Sequence, residues 1–203
     1  IIAIEKDDRL IPVLSEKFAK EISVKQLRLI HTDILNLDID SLIISDLDAI
    51  REVSEACDQA VHTSTARGAN VADDKGVRQI WNYKIVANIP YYITGLIIRM
   101  FLEAGKQPES MTLLVQKEVA ERITARNGKE SLLSLSVKVY GEPKLVRAVG
   151  RGAFTPQPNV DSAILNIKNI SKDKFSKDAP WSVDSFQGES LEKSFFKVIH
   201  AGF

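Results

Sequence analysis

The chain of 203 residues has few of the features that mark secreted or membrane proteins. It contains one cysteine, Cys57, so no disulfide can form within it. It has no apolar run near the roughly 20 residues that a membrane helix needs, and no signal-peptide pattern at its start. A single thiol without a disulfide framework is typical of a reducing compartment. These absences predict a cytoplasmic protein that does not bind membranes.

The chain also lacks an excess of charge of either sign. It has 27 basic and 27 acidic side chains, and a balance of this kind argues against a nucleic-acid partner. The distribution weakens that argument, because residues 39–74 hold eight acidic and two basic side chains, a net charge of −6. The remainder therefore carries +6, which leaves room for a basic surface. The length and the 44% hydrophobic content suit one globular domain, or one domain and part of another.

A metal site is not indicated. His31, Cys57 and His62 are the residues that could suggest one. They lack the clustered ligand spacing of structural and catalytic metal sites. We therefore predict that the protein holds no metal.

The first part of the chain has the pattern of a strand, a helix and a second strand. An apolar strand over residues 1–4 ends at Glu5, and a second strand over residues 27–30 ends shortly before Asp33. Between them, a helix capped by Asp7 or Asp8 is predicted, with Pro12 in its first turn. Its apolar stripe consists of Leu10, Leu14, Phe18 and Ile22. Ligands of such βαβ units bind at the carboxyl ends of the strands, where Glu5 and Asp33 stand.

A third strand end carries the segment Asn88-Ile89-Pro90-Tyr91, which we call the corner. It follows the apolar run of residues 84–87. Pro90 has a fixed φ and pushes Ile89 toward an extended conformation, so the corner should be stiff. It combines an amide, a main-chain carbonyl and an aromatic face, which suits the binding of a flat ring that bears an amine. A plain strand end followed by a turn is the alternative interpretation.

The remaining pattern predicts alternating helices and strands. Strands are expected over residues 111–115, 132–140, 144–149 and 163–167, and helices over 46–61, 94–104, 116–123 and 194–200. Thr94 is the expected cap of the second of these helices, with Gly105 at its end. A tight turn at Gly141 should join strands 132–140 and 144–149 as an antiparallel pair. Residues 62–76 are predicted to form an exposed loop.

Two motifs resemble those of the ribosomal RNA adenine N6-dimethyltransferases. The corner matches their Asn-(Leu/Ile)-Pro-(Tyr/Phe) motif, and residues 154–162, Phe-Thr-Pro-Gln-Pro-Asn-Val-Asp-Ser, resemble their Phe-x-Pro-x-Pro-x-Val-Asp-Ser motif. Residues 116–122 and 195–203 are also similar, so the resemblance covers nearly the whole chain apart from the acidic region after Asp38. Gln116-Lys117-Glu118 and Asp161 resemble the small-subunit branch more than the erythromycin-resistance branch.

The resemblance implies an α/β fold with the Rossmann-like sheet of S-adenosyl-L-methionine-dependent methyltransferases. We expect this domain to cover residues 1–170, with an insertion at about 39–83. Residues 171–189 would form a linker, and residues 190–203 would begin a small helical C-terminal domain.

The resemblance further implies dimethylation of adenine N6 in small-subunit ribosomal RNA, with S-adenosyl-L-methionine as the methyl donor. The partner would be that RNA or a pre-ribosomal particle, and we expect a monomer that contributes to ribosome biogenesis. The catalytic residues would be Asn88, Ile89, Pro90 and Tyr91. Tyr91 and Phe154 would stack on the target base. The cofactor would be bound by Glu5 at its ribose, by Asp33 at its adenine amine, and by Asn88.

Two departures from the family pattern stand out. The glycine-rich motif that holds the methionine part of the cofactor should precede Glu5, yet the chain has no glycine before Gly68. The chain also begins within a strand pattern and stops directly after an apolar, helical segment, so we expect it to be incomplete at both ends. Without its first strand it should be unstable, because sheet edges would be exposed. The second departure is the length of the region from about 39 to 83.

Three alternatives remain open at this point. The chain could be a ribosome-assembly factor that binds pre-ribosomal RNA without catalysis, which the missing glycine motif favours. It could be a large-subunit RNA methyltransferase of the erythromycin-resistance type. A DNA or protein amino-methyltransferase could share the corner, although the motif of residues 154–162 argues against it.

Overall fold

The structure is a computed structural model, and it describes residues 1–43, 45, 83–175 and 190–202. The predicted helix over 46–61 and the predicted loop over 62–76 lie outside the described residues. The chain divides into two compact units, Ile1–Ala69 and Asn70–Phe203. Each unit is described by itself.

The first unit is built on two parallel strands, β1 (Ile2–Glu5) and β2 (Arg28–His31). A parallel pair needs a crossover connection, and two short helices, α1 (Leu10–Lys17) and α2 (Ala19–Ser23), provide it. The predicted strand–helix–strand unit is thus confirmed. The single predicted helix is wrong in one respect, because the backbone leaves helical geometry at Phe18, with φ −112° and ψ 24°. Residues 39–43 are also helical.

The start of α1 differs from its predicted cap. The N-cap residue is Arg9, and its side chain makes no capping hydrogen bond. Asp7 instead forms the turn that precedes the helix, because its carboxylate accepts the Arg9 N–H at 2.9 Å and its carbonyl accepts the Leu10 N–H at 3.0 Å. Asp7 therefore orders the entry to the helix from two positions before the N-cap residue. Pro12 lies in the first turn, as expected.

The second unit contains a mixed four-stranded sheet with the order β3-β4-β6-β5. β3 is parallel to β4, and the other two pairings are antiparallel. The strands are β3 (Lys84–Asn88), β4 (Ser110–Gln116), β5 (Glu142–Val149) and β6 (Ser162–Lys168). β3 lies at one edge of this sheet, and exposure alternates along it, with Val86 on its exposed face. The described part of the chain is therefore α/β with a mixed sheet, which confirms the predicted class at that level.

Helices cover one face of this sheet. They are α3 (Thr94–Glu103), α4 (Lys117–Thr124), α5 (Leu132–Lys138) and α6 (Leu191–Gly202). α4 contacts β4, β5 and β6, and α5 packs against α4 and β5. Alternate residues of the two central strands point toward these helices and are fully buried, namely Met111, Leu113, Val115, Ala163, Leu165 and Ile167. This period of two is the pattern that made both strands predictable.

The predicted strand over residues 132–140 is wrong, since this segment forms α5. A capping box begins the helix: Ser131 Oγ accepts the Ser134 N–H at 3.2 Å, and Ser134 Oγ accepts the Ser131 N–H at 2.7 Å. Ser134, Val137 and Tyr140 are buried at a helical spacing of three. The predicted hairpin at Gly141 is consequently wrong as well, and β5 pairs with β6 instead.

The predicted ends of α3 are also wrong. The N-cap is Ile93 and the C-cap is Ala104, so Thr94 is the first helical residue and Gly105 lies beyond the cap. Thr94 Oγ1 is buried and has no hydrogen-bond partner among the described residues. The chain enters α3 through a short 3₁₀ turn, Tyr91–Ile93, which shifts the capping position by one residue.

The C-terminal helix α6 packs on an aromatic cluster. Tyr140 stacks on Phe196 with 6.1 Å between ring centroids, and Phe175 meets Phe195 edge-on at 5.7 Å. The Tyr140 hydroxyl donates a hydrogen bond to the Glu192 carboxylate. Burial, reinforced by this carboxylate, raises the pKa of Tyr140 well above its usual range. The helix predicted over 194–200 is confirmed and begins three residues earlier.

Candidate functional site

The corner lies where β3 ends, as predicted. Asn88 is the last residue of the strand, and Ile89 is buried beneath it. Pro90 has φ −57° and ψ 135°, and its carbonyl accepts the Ile93 N–H at 3.2 Å to close the following 3₁₀ turn. The extended proline followed by a tight turn explains why the chain leaves the sheet abruptly at this point.

The loop of residues 154–162 is anchored at the same end of the sheet. The Asp161 carboxylate accepts the Arg151 N–H at 3.0 Å, across the base of the loop. The Asp161 carbonyl accepts the N–H of Lys117, at the start of α4, also at 3.0 Å. One aspartate therefore closes the loop and joins it to the end of β4.

A pocket of about 330 Å³ lies between the corner and this loop. Its lining consists of Asn88, Ile89, Pro90, Tyr91, Phe154, Pro156 and Pro158. The corner residues and Phe154 are more than 60 positions apart in the sequence, and the structure brings them to one cavity. No role was predicted for Pro156 and Pro158 from the sequence, although both belong to the motif that carries Phe154.

The pocket presents two hydrogen-bond acceptors that are not otherwise used. Within the described part of the chain, neither the Asn88 side chain nor the Ile89 carbonyl takes part in a hydrogen bond. The Asn88 side chain is exposed, and the Ile89 carbonyl belongs to a residue whose side chain is buried. A planar group with two N–H donors is the kind of ligand that such a pair of acceptors can bind.

Tyr91 forms a hydrogen bond with a residue for which no role was predicted from the sequence. Its hydroxyl lies 2.8 Å from Ser162 Oγ. Ser162 is the first residue of β6 and is fully buried. The partnership spans 71 positions, so sequence spacing offered no signal beyond the presence of Ser162 at the end of the second motif.

In the first unit, Glu5 and Asp33 lie at the carboxyl ends of adjacent strands. Glu5 Oε1 accepts the N–H groups of Lys6 and Asp7, each at 2.7 Å. The Lys6 ammonium contacts Asp33 Oδ2 at 2.7 Å, and Asp33 Oδ1 accepts the Leu35 N–H at 3.0 Å. The hydrogen bond from Lys6 is the main reason that the pKa of Asp33 is lowered. Asp33 is therefore ionised at neutral pH.

The predicted site residues thus fall into two groups. Glu5 and Asp33 share one edge in the first unit, beside an open depression of about 510 Å³ that Glu5 and the four residues after it line. Asn88, Tyr91 and Phe154 share the pocket of the second unit. The expected contribution of Asn88 to the cofactor site stays a prediction, as do the roles assigned to the other residues.

The described residues contain no group of three or more His, Cys, Asp or Glu side chains that could hold a metal ion. His31 Nε2 contacts Asp8 Oδ1 at 2.7 Å, while Cys57 and His62 lie outside the described residues. None of the helices in the described ranges is both long and apolar enough to cross a membrane.

A family model described as "Ribosomal RNA adenine dimethylase" matches residues 1–183 of the chain. The chain belongs to the ribosomal RNA adenine dimethylase family. The match includes both motifs that line the pocket and both carboxylates of the first unit. The family resemblance noted from the sequence is therefore confirmed.

Curated relatives within this family are small-subunit enzymes by name. The ribosomal RNA small subunit methyltransferase A of Dehalococcoides mccartyi is 39% identical over 203 residues, which is 100% of this chain and 53% of that protein. The protein of the same name from Latilactobacillus sakei is 38% identical over 169 residues, covering 82% of this chain and 46% of that protein. The chain thus spans about half the length of the curated relatives it matches.

Solved structures show the same fold. The 23S rRNA methyltransferase ErmE superposes with a TM-score of 0.55 at 24% identity, over 82% of this chain and 51% of that one. A dimethyladenosine transferase from Plasmodium falciparum superposes with a TM-score of 0.54 at 23% identity, over 82% and 46% of the two chains. At this level of identity the likeness concerns the fold alone.

Proposed function

We propose that this protein dimethylates adenine N6 in small-subunit ribosomal RNA and so contributes to ribosome biogenesis. The observation that carries the proposal is the pocket in which Asn88, Ile89 and Tyr91 face Phe154. Membership of the family and the small-subunit names of the relatives support the choice of substrate. A cytoplasmic, monomeric protein remains our expectation.

The two free acceptors of the corner explain how an adenine amine could be activated. The lone pair of this nitrogen is delocalised into the ring, so the amine is a poor nucleophile. The Asn88 amide oxygen and the Ile89 carbonyl would each accept one of its N–H bonds. This geometry draws the nitrogen toward a tetrahedral shape and frees its lone pair, so that positioning and electrostatics provide most of the catalysis.

The aromatic side chains of the pocket can bind the adenine ring. A base must leave its helical stack before an enzyme can reach its amine. Tyr91 and Phe154, on the two segments that line the pocket, would stack on the extruded base, and each such contact is worth roughly 1–3 kcal/mol. Pro90, Pro156 and Pro158 stiffen both segments and limit the entropy lost on binding.

The carboxylates of the first unit fit the nucleoside end of S-adenosyl-L-methionine. Glu5 Oε2 accepts no hydrogen bond within the described part of the chain, so it can receive a ribose hydroxyl. The Asp33 carboxylate, which contacts Lys6 at 2.7 Å, can also accept a hydrogen bond from an adenine amine. The cofactor, when bound, supplies an electrophilic methyl group. The chain has no glycine before Gly68, so the fit covers the nucleoside end only.

Replacement of Asn88 tests the proposal directly. In the protein encoded by the complete reading frame, Asn88→Ala should lower dimethyladenosine formation by about 100-fold to 1000-fold, the usual cost of removing one such preorganised group. Formation is measured by mass spectrometry of unmodified small-subunit particles after incubation with S-adenosyl-L-methionine. Asn127→Ala, an exposed substitution outside the pocket, is the matched control and should retain activity.

Wild-type rates in Asn88→Ala would refute the role of the corner. The non-catalytic alternative, an assembly factor, makes a different prediction: the wild-type protein would bind small-subunit RNA but neither bind S-adenosyl-L-methionine nor modify the RNA. A parallel assay with large-subunit RNA and with DNA separates the remaining alternatives by substrate.

A further inference from the structure

Tyr91, at the end of the corner, and Tyr92, which follows it, differ strongly in exposure. Tyr92 is 83% exposed, whereas Tyr91 is half-buried and lines the pocket. The difference coincides with one hydrogen bond, the 2.8 Å contact between the Tyr91 hydroxyl and Ser162 Oγ. Ser162 itself does not line the pocket.

Ser162 is placed to act as a rigid anchor. It pairs with Gln116 of β4 and with Val149 of β5, so strands on both sides fix its backbone. Its side chain is 0% exposed, and a buried hydroxyl without a partner destabilises a fold because its lost hydration is not replaced. Tyr91 is the partner that satisfies it. The hydrogen bond therefore has two effects: it satisfies the buried serine hydroxyl, and it fixes the position of the tyrosine hydroxyl.

The position of this bond on the ring matters for stacking. A tyrosine ring has two side-chain torsions, and a contact at its hydroxyl, the atom farthest from the backbone, restrains the first of them. The hydroxyl oxygen lies on the axis of the second torsion, so the bond fixes where the ring lies and not its rotation about that axis. Ser162 also ends the loop that carries Phe154. One hydrogen bond therefore links the corner to the last residue of the loop that carries Phe154.

We propose that Ser162 is a positioning residue, whose hydroxyl holds the Tyr91 ring at the place where it can stack on the target base. The inference rests on the proposed function, because it assumes that Tyr91 stacks on that base. Ser162 touches neither base nor cofactor in this arrangement. It acts through Tyr91 alone.

A double-mutant cycle tests the proposal in the protein encoded by the complete reading frame. Tyr91→Phe keeps the ring and removes the hydroxyl, and Ser162→Ala removes the other partner. Each should lower kcat about tenfold, the value of one net hydrogen bond, with little change in the KM for RNA. The double variant should be no slower than the single variants, because both substitutions remove the same bond.

A binding assay supplies a readout that does not depend on turnover. Small-subunit RNA with 2-aminopurine at the target position should lose fluorescence when the base stacks in the pocket of the wild-type protein. Tyr91→Phe and Ser162→Ala should quench less, while Tyr92→Phe should quench as the wild type does. Urea unfolding of each variant distinguishes a loss of protein stability from a displacement of the Tyr91 ring.

Several outcomes would overturn the proposal. Tyr91→Phe with wild-type kcat and quenching does so even if Ser162→Ala does not fold, since it removes the same bond. Effects that simply add in the double variant would show that the two hydroxyls act independently. In both cases an active wild-type protein leaves the proposed function intact. A wild-type protein that methylates no RNA overturns the proposed function itself.

Discussion

At the scale of single residues, the pocket has polar groups that can accept hydrogen bonds and aromatic groups that can stack on a base. Asn88 and Ile89 offer acceptors without hydrogen-bond partners in the described residues, and Phe154 lies on the opposite loop. If Phe154 stacks on the target base, Phe154→Ala should weaken binding of RNA that contains the target adenine by about tenfold to 100-fold, in line with roughly 1–3 kcal/mol per stacked base. Fluorescence anisotropy with a labelled small-subunit fragment measures this change.

Tyr92→Ala is the appropriate comparison for that experiment. It removes an aromatic side chain of similar size from the residue next to the corner, but this side chain is exposed and does not line the pocket. Binding should change far less than in Phe154→Ala. Equal losses in the two variants would mean that the pocket does not hold the base.

At the scale of secondary structure, α5 depends on its first turn. The capping box of Ser131 and Ser134 satisfies N–H groups that a helix end otherwise leaves unpaired. Ser131→Ala should lower the free energy of unfolding by about 1 kcal/mol, which urea denaturation followed by circular dichroism can measure. Ser136→Ala in the same helix is the control. Its hydroxyl bonds the Leu132 carbonyl at 2.7 Å, a contact that adds little to helix stability, so a loss equal to that of Ser131→Ala would refute the capping argument.

The same helix shows where prediction from sequence reached its limit. Apolar and polar residues alternate from Leu133 to Val139, and this alternation is typical of a strand. The serines at 131 and 134 have the spacing of a capping box, but the third helical position is serine rather than the usual Glu or Gln, so this competing signal was weak. Predictions from long, uninterrupted patterns are confirmed. The buried strands β4 and β6 lie where predicted, and so does the proline-containing loop before β6.

The placement of the candidate site residues at strand ends and on the loop was predictable from the sequence. Motif residues and strand ends can be recognised locally, so the corner, Phe154, Glu5 and Asp33 could all be named in advance. Their partners could not. Lys6 reaches Asp33 across 27 positions, and Tyr91 reaches Ser162 across 71, distances that only the folded chain closes.

At the scale of the whole molecule, the balance of charge conceals an asymmetry. The net charge is zero, but residues 39–74 carry −6 and the rest of the chain +6. Arg151 belongs to the basic part, is exposed, and lies three positions before Phe154. It has no ion pair among the described residues, so its charge is available to a phosphate group. We therefore expect RNA affinity to depend on the exposed Arg151 side chain rather than on the net charge.

Arg151→Gln tests this expectation through the salt dependence of RNA binding. Removal of one phosphate contact should weaken binding uniformly, with and without a target adenine, and should reduce the slope of log K against log salt by about one. Lys168→Gln removes the same charge from an exposed residue at the other end of β6, and it should leave both the affinity and the slope unchanged. Equal slopes for Arg151→Gln and the wild type would exclude a phosphate contact there. A loss confined to adenine-containing RNA would instead assign Arg151 to base recognition, because a contact to the RNA backbone cannot distinguish one base from another.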